Sequence, residues 1–460
     1  MARSTWAIAV RDIGRNVWVW SAAAIVSVAV SVFIMWCLNF IVAVNEAPSA
    51  FFPALDSNKG EYVTLGTNML LFSGIPAVVI LGIVLSGVTT HTAVTQSLWR
   101  LGGASPLQVT SMILIQAVVV CCGSVVAGVL IALPFQDGIN NLLISVGAPG
   151  ADPLPVVHSF WAVLGTVAVL AVLAVAASIV PAWQAAQRSP TVLRSAPELV
   201  TRPGRAYLVI VTTVFLVFVL PLFSSLAGVV KVKEAILAVV VTLPLGQALV
   251  LMSALAAPWL LPLVIRAWTF PFATSAPAWR VARHLAIARI AGSAGTVAPL
   301  TLGIGLFGTF GMISATAANV SPQGTSLNTF EGIILLSPVG VISTVGSIAV
   351  VVMAAKQHTE DIVTLRSASA TRSSTDLTMV LEAVIITVSA VVIALIPIGI
   401  QYGLLAFALR THQRSVTEIG FSLGPTLLLI GAALLGMSTA LLIAARSAWR
   451  KPMVELLADR

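Results

Sequence analysis

The side chains with the chemistry for catalysis or metal binding are few and far apart in this sequence. The three cysteines, Cys37, Cys121 and Cys122, all lie inside apolar runs, and the last two are adjacent. Neither a disulfide framework nor a metal-site spacing follows from them, so ordinary buried packing is expected. The five histidines are also scattered: His91, His158, His284, His358 and His412. We expect no metal and no resident cofactor.

Nucleotide-binding and hydrolase motifs are missing from the sequence as well. It has no Gly-x-x-x-x-Gly-Lys-Ser/Thr phosphate loop, no Gly-x-Ser-x-Gly turn and no His-Glu-x-x-His pair. The chain is therefore not predicted to be an enzyme. Any ATP hydrolysis that drives it must come from another polypeptide.

One acid stands inside an apolar segment. Glu382 lies about two helical turns into a predicted span, and Gln116 takes the matching position of the repeat described below. A carboxylate at that depth costs a few kcal/mol unless it is paired. Two roles are open, proton coupling or a structural pairing with Arg366 or Arg372. We favour the pairing, because a single acid makes a poor proton relay.

The elements that carry these residues are predicted to be membrane-spanning helices. Of the 460 residues, 58% are hydrophobic and only 9% are charged, whereas soluble domains are roughly a quarter charged. Apolar runs of roughly 20 residues recur, and they do not alternate as barrel strands would. The sequence predicts an all-α polytopic membrane protein of about ten helices. The predicted spans are 17 to 43, 67 to 90, 108 to 134, 158 to 184, 206 to 230, 235 to 265, 296 to 318, 332 to 355, 377 to 403 and 424 to 445.

These spans form two four-helix repeats with further segments around them. The predicted segments are an interfacial amphipathic helix (1 to 16), a first repeat (17 to 184) with a small outer loop (44 to 66), a cytoplasmic linker (185 to 205), a two-helix spacer (206 to 265), a cytoplasmic connector (266 to 295), a second repeat (296 to 445) and a cytoplasmic tail (446 to 460). The alternative for residues 1 to 16 is an extension of the first span.

The distribution of basic residues predicts the orientation. With the N-terminus in the cytoplasm, the cytoplasmic segments contain all but five of the 24 Lys and Arg residues. The five are Lys59, Lys231, Lys233, Arg410 and Arg414. The positive-inside rule then predicts that both termini lie in the cytoplasm, and the membrane that we expect is the inner membrane of a bacterium. Basic loops beside anionic lipid also account for the net charge of +8, so no nucleic-acid partner is predicted.

An internal repeat relates the two four-helix sets, and one register aligns the loop after the second span with its counterpart. The matched residues lie in this loop and in the span that follows it. Arg100, Ala104, Ser105 and Gln116 align with Arg366, Ala370, Thr371 and Glu382, in that order. The two spacer spans are an even number, so both sets start from the cytoplasm and the repeat is parallel. A parallel repeat predicts a pseudo-two-fold axis along the membrane normal.

The two superposed loops carry a shared motif, and we call residues 97 to 109 the first elbow and residues 364 to 372 the second elbow. A leucine and an arginine precede Gly103-Ala104-Ser105 in the first elbow and Ser369-Ala370-Thr371 in the second. In these motifs the chain resembles the FtsX/MacB family of ABC permeases. The four-plus-two-plus-four order is similar to the ten-helix bacitracin and lantibiotic resistance permeases. Their large outer domain is reduced here to a short segment near residues 318 to 330.

The elbows are predicted to be stiff turns. Gly103 permits a tight reversal, Ser105 is suited to cap the next helix and Pro106 to begin it. The resemblance implies that the elbows couple the chain to an ATPase, whereas the alternative is two ordinary turns. The implied coupling residues are Arg100, Leu101, Gly102, Gly103, Ala104, Ser105, Pro106, Arg366, Ser369, Ala370, Thr371 and Arg372.

The resemblance implies the permease subunit of an ABC transporter. Two separate ATPase subunits per chain would bind ATP and Mg, and transport would export a hydrophobic or amphipathic compound or extract it from the membrane. An antimicrobial peptide or a lipid is an example of such a substrate. One alternative is an FtsX-like mechanical relay that regulates a cell-envelope partner. Another, from a different class, is an ion-coupled secondary transporter.

Aromatic residues near the predicted outer surface are candidates for a substrate entrance. They are Phe51, Phe52, Tyr62, Trp161 and Tyr402. The alternative for each is the aromatic belt that membrane proteins carry at the lipid headgroups.

Overall fold

The protein is described from a computed structural model, which covers residues 2–46, 59–147, 159–187, 235–272, 276–288, 290–320 and 329–450. Apart from two short 3₁₀ turns, the elements in these residues are α-helices. Two units are distinguished, one formed by Met1–Pro197 with Phe330–Gly346 and the other by Glu198–Thr329 with Ser347–Arg460.

The first unit contains six helices before the linker. They are α1 (Ala2–Arg15), α2 (Val17–Glu46), α3 (Lys59–His91), α4 (Ala93–Leu101), α5 (Pro106–Gly147) and α6 (Phe160–Gln187). The four long helices form a bundle in which α2 contacts α3, α5 and α6, and α6 also contacts α3 and α5. Small residues permit close packing, since the backbone of Ala177 in α6 lies against Gly82 of α3. The short helix α1 packs mainly on α5.

The remaining helices lie in the second unit, except α11, which is shared between the two units. They are α7 (Ala235–Val241), α8 (Leu243–Thr269), α9 (Pro277–Ala288), α10 (Ile290–Val320), α11 (Thr329–Met353), α12 (Ala355–Ser367), α13 (Arg372–Thr411) and α14 (Gly424–Arg450). Helix α13 contacts α8, α9, α10 and α14, so it is central to this unit. Helix α12 packs on α14.

Nine helices in the described residues are long and apolar enough to cross a membrane. They correspond to nine of the ten predicted spans; the tenth, residues 206 to 230, lies outside the described residues. The prediction of an all-α polytopic membrane protein is therefore confirmed. Several helices are longer than their predicted spans. For example, α5 continues to Gly147 and α13 continues to Thr411. Apolar composition marks the part of a helix in lipid and gives no signal for its polar extension.

An amphipathic helix precedes the first long helix of each set. Helix α1 comes before α2, and helix α9 comes before α10. Each packs on the third long helix of its own set, α1 on α5 and α9 on α13. Residues 277 to 288 were expected to be part of a connector, and the structure shows a helix that buries Ala278, Ala282 and Ala286.

Candidate functional site

The first elbow is a helix end closed by backbone hydrogen bonds. Helix α4 ends at Leu101, and Gly103 has a φ of 90°. The amide of Ala104 donates to the carbonyl oxygen of Trp99 at 3.0 Å, and that of Gly103 donates to Arg100 at 3.1 Å. This pair of bonds defines a Schellman motif, in which a left-handed residue satisfies carbonyls at a helix end. The predicted need for glycine at position 103 agrees with this φ.

The helix that leaves the first elbow is capped reciprocally. The amide of Gln108 donates to Ser105 Oγ at 3.3 Å, and the amide of Ser105 donates to Gln108 Oε1 at 2.8 Å. Pro106 is the first residue of α5. A capping box of this kind satisfies two amides that the helix itself leaves unpaired. The chain between α4 and α5 is thus held by bonds on both sides of the turn.

The second elbow has the same backbone although it has no glycine. Ser369 has a φ of 63°. The amide of Ala370 donates to Leu365 at 3.0 Å and that of Ser369 to Arg366 at 3.0 Å, so each bond of the first elbow recurs between the equivalent residues of the second. Thr371 caps α13, because its hydroxyl accepts from the amide of Ser374 at 3.3 Å. The predicted cap was either Thr371 or Ser373.

The arginine of each elbow binds the end of the fourth long helix of its own set. Arg100 Nη1 donates to the carbonyl oxygen of Ala186, one residue before the end of α6. Arg366 Nη1 donates to the carbonyl oxygen of Ala448 at 3.1 Å, near the end of α14, and its guanidinium lies 4.6 Å from the ring centre of Trp449. The last carbonyls of a helix have no partner within it, and the negative end of the helix dipole favours a cation there. Each arginine therefore ties its elbow to the end of the fourth long helix of the same set.

The predicted coupling residues divide into an inner and an outer group. Arg100, Ala104, Arg366 and Ala370 are half-buried against their own unit. The others are exposed: Leu101, Gly102, Gly103, Ser105, Pro106, Ser369, Thr371 and Arg372. The exposed group forms an accessible surface on each elbow.

Gln116 and Glu382 are both buried, each in the third long helix of its set. Gln116 Nε2 donates to Asp12 Oδ2 at 2.9 Å and to the carbonyl oxygen of Ala9 at 3.1 Å. Asn16 Nδ2 donates to the other oxygen of Asp12 at 3.0 Å. Gln116 thus holds α1 on α5. The proposed pairing of Glu382 with Arg366 or Arg372 stays a prediction.

Burial has the largest effect on the pKa of Asp12. It raises the pKa of the carboxyl above 3.8, while the hydrogen bonds from Gln116 and Asn16 and the charge of Arg15 act in the opposite direction. Protonation of Asp12 is thereby favoured in the docked helix. The burial and the hydrogen bonding of Asp12 were not predicted from the sequence, because its partner Gln116 is distant along the chain.

The candidate entrance residues are only partly described. Phe51 and Phe52 lie outside the described residues, and for Tyr62 only the helical backbone of α3 is described. Trp161 is exposed in the first unit and packs edge-on against Phe160 with 6.2 Å between ring centres. Tyr402, in the second unit, stacks on Phe421 at 6.1 Å. Phe421 was not singled out in the sequence, although its loop borders a predicted span.

Two buried amide contacts were also missed by the sequence reasoning. In the first unit, Asn39 Nδ2 donates to Gln136 Oε1 at 3.1 Å. In the second unit, Gln401 Nε2 donates to Thr242 Oγ1 at 2.8 Å, where α7 gives way to α8. Gln136 and Gln401 both lie in the third long helix of their set, in the half of the helix away from the elbow. A glutamine inside an apolar run is the signal that was available.

No group of three or more His, Cys, Asp or Glu side chains within the described residues is arranged to hold a metal ion. Cys37 and Cys121 are buried free thiols, and Cys122 is half-buried. Ser27 Oγ donates to Cys121 Sγ at 3.1 Å, which ties α2 to α5. These contacts are of the packing type expected from the sequence.

Comparison with known families gives one match. Residues 68–190 match the family model described as FtsX-like permease C-terminal. The matched segment, about a quarter of the chain, begins in α3 and extends past α6, so it includes the first elbow. No curated protein matches the chain significantly. This similarity supports a permease-type, multi-pass membrane subunit of the kind that works with ABC ATPases.

Proposed function

We propose that this chain is the membrane-spanning subunit of an ABC-type transporter in a bacterial inner membrane, with both termini in the cytoplasm. Separate ATPase subunits, two per chain, bind ATP and Mg and act on the two elbows. The transported compound is hydrophobic or amphipathic, such as an antimicrobial peptide or a lipid, and it is exported or extracted from the membrane.

The observation that carries this proposal is the duplicated elbow. Two loops in equivalent places of the two helix sets have the same Schellman bonds, a hydroxyl that caps the next helix and an arginine bound to a helix end. An ordinary connection between two helices does not need three matching devices. Stiffness of this kind is required where force must pass from a bound partner into the spans, because a flexible turn would absorb the movement.

The similarity of residues 68–190 to the FtsX-like permease model supports the same assignment. ATP hydrolysis has to come from a partner, since the sequence has no phosphate-binding loop. Exposed aromatic pairs, Phe160 with Trp161 and Tyr402 with Phe421, support an apolar substrate. Such rings bind acyl chains and apolar side chains by contact area.

The proposal is tested by purifying the tagged chain in mild detergent and photolabelling the preparation with 8-azido-ATP. We expect a second, nucleotide-labelled polypeptide and ATP turnover after reconstitution. The double variant Arg100→Glu, Arg366→Glu should lose both, because charge reversal removes the bond to Ala186 and Ala448 and releases each elbow.

The matched control is the double variant Arg410→Glu, Arg414→Glu, which reverses two charges at and just beyond the other end of α13 and should keep the labelled partner. Equal amounts of inserted chain are compared throughout. The proposal is wrong if the wild-type preparation contains no nucleotide-labelled polypeptide. It is equally wrong if the elbow double variant keeps full binding and full turnover.

A further inference from the structure

The two elbows present different surfaces on the same backbone. Helix α4 carries an exposed apolar stripe of Val94, Leu98 and Leu101, which are 60%, 56% and 61% exposed. Its spacing of four and then three residues places the three side chains on one helix face. Leu107, just beyond the turn, is also exposed.

The matching positions of the second copy are polar. The register that aligns Arg100 with Arg366 relates Leu98, Leu101 and Leu107 to Thr364, Ser367 and Ser373, all three of which are exposed. Val94 corresponds to Glu360 in the sequence. The turns are the same bond for bond, so these are equivalent places on equivalent backbones. The hydroxyls of the second copy show that the turn does not require apolar residues for its own stability.

Charge separates the two helices further. Helix α4 contains one ionised side chain, Arg100, and its guanidinium is directed to the carbonyl oxygen of Ala186. The exposed stripe is therefore uncharged. Helix α12 contains Lys356, Glu360, Asp361 and Arg366. An apolar groove complements α4 but would have to desolvate charged groups of α12, so one surface cannot fit both helices equally.

Lipid is a poorer explanation of the stripe than a protein groove. Each elbow joins the second and third spans of its own set, so each lies at the same level relative to those spans. If headgroups or acyl chains covered this level, the exposed positions of both copies would favour apolar side chains. An apolar helix face with anchors at i, i+4 and i+7 is instead the pattern by which a helix binds a protein groove.

We propose that the elbows are unequal docking sites, with the ATPase held mainly by the stripe of α4 in an apolar groove and only weakly by α12. This inference rests on the proposed function. It assigns the two ATPase subunits different grips on one chain. The ATPase subunit on α4 stays bound, whereas the ATPase subunit on α12 detaches more readily.

Cysteine labelling tests the difference and does not require the ATPase to be identified. Leu98→Cys and Thr364→Cys are made singly, and inside-out membrane vesicles are treated with a membrane-impermeant maleimide before and after alkaline carbonate strips peripheral proteins. Leu98→Cys should label at least about fivefold faster after stripping, and Thr364→Cys less than about twofold faster, because only a tightly packed contact excludes the reagent. The wild-type chain, whose three cysteines lie in spans, is the background control.

Replacing the apolar side chains of the first elbow with the polar ones of the second gives a second test, in which the amount of ATPase retained is measured. Leu98→Thr with Leu101→Ser copies the second elbow onto the first and should lower the retained 8-azido-ATP-labelled polypeptide about tenfold or more. The corresponding change at the weaker site, Thr364→Ala with Ser367→Ala, should lower retention less than about twofold, because α12 contributes little to the binding of the ATPase. A bifunctional crosslinker from Leu98→Cys should capture that same nucleotide-labelled polypeptide.

The outcomes separate the two proposals. Equal protection of both elbows by a nucleotide-labelled partner overturns the unequal docking and leaves the transporter assignment intact. Slow labelling of Leu98→Cys that persists after stripping shows a lipid-covered stripe and also overturns the docking. A wild-type preparation without any nucleotide-labelled polypeptide overturns the proposed function itself.

Discussion

Gly103 and Ser369 adopt the same left-handed backbone, with φ of 90° and 63°, at equivalent turns of the two elbows. Glycine takes this conformation freely, whereas a residue with a Cβ carries a cost of about 1–2 kcal/mol. The second elbow therefore keeps its geometry against a local penalty. Its Schellman bonds and the contact of Arg366 with Trp449 offset that cost.

Gly103→Ala should lower the local stability of the first elbow by about 1–2 kcal/mol, because positive φ is unfavourable for alanine. A Cβ at this position meets no atom within 4 Å, so the change isolates backbone conformation from packing. Amide hydrogen exchange of residues 98 to 108 is the measurement. Gly102→Ala is the control, since Gly102 has a φ of −74° and its Cβ would make ordinary contacts at 3.4 and 3.5 Å. Equal exchange in the two variants would contradict the assigned turn.

Ser369→Gly should stabilise the second elbow by up to about 1 kcal/mol, because it removes the strain of a left-handed serine. Ser367→Gly, two residues earlier at the last residue of α12, should have the opposite sign, since glycine in a helix costs roughly 0.5–1 kcal/mol and the hydroxyl bond to Thr364 is lost. Both side chains are exposed, so packing changes little. Exchange protection of residues 362 to 370 reports both effects. The same sign for both variants would show that Ser369 is not strained.

The packing of Gly246 against Gln401 gives a third prediction. A Cβ on Gly246 would overlap Gln401 Oε1 and would lie 2.9 Å from its Cδ. Gly246→Ala should therefore destabilise the second unit by about 1–3 kcal/mol, seen as a lower melting temperature in detergent. Gly403→Ala is the control, because its Cβ meets nothing within 4 Å. Gln401→Ala alone should also destabilise the unit, because it removes the bond to Thr242, but Gly246→Ala should cost much less in that background than in the wild-type chain. An equal loss in both backgrounds would remove the steric explanation.

Docking of α1 should depend on pH through Asp12. Burial raises the pKa of this carboxyl, so its contribution to docking is complete below the unfolded value of 3.8 and declines as pH rises through the raised value. A spin label on Gly14→Cys, an exposed site with open space, reports the docked fraction. That fraction should increase as pH is lowered from neutral.

Two variants sharpen the test of α1. Asp12→Asn should abolish the pH response, because the titrating group is gone. Gln116→Leu should release α1 at every pH, since it removes the donor to Asp12 and to Ala9. Ser111→Ala, which removes only a local bond to Gln108 in the same helix, should leave docking unchanged. A wild-type chain with a pH-independent docked fraction would exclude Asp12 as the cause.

The sequence allowed good prediction where structure depends on neighbours along the chain. Apolar runs located nine helices that are now described, and glycine, serine and proline located the first turn. Ser369 was harder, because no short pattern indicates that a serine takes positive φ. The bonds that hold it there became visible only in three dimensions.

Contacts between distant residues were not predicted. The implied coupling role of Arg100 stays a prediction, but its bond to Ala186, 86 residues away, was not predicted; it forms because the end of α6 has carbonyls without partners in the helix. Asp12 and Gln116 are 104 residues apart, and neither lies in a motif that names the other. The helix α9 was missed for another reason: it is short, and its buried face consists of alanines that hydropathy does not distinguish.

The lengths of α5 and α13 give the elbows mechanical leverage. At 42 and 40 residues, the two helices are about 63 and 60 Å long, roughly twice the thickness of the hydrocarbon core. Each begins at the cap of an elbow and continues as one helix, with Pro134 or Pro397 as the natural bending point in the half away from that elbow. A tilt of a few degrees at the capped end displaces the far end of such a rod by several ångströms. In the proposed transporter, each rod is therefore a lever that would carry a small rotation at one face of the membrane to the opposite face.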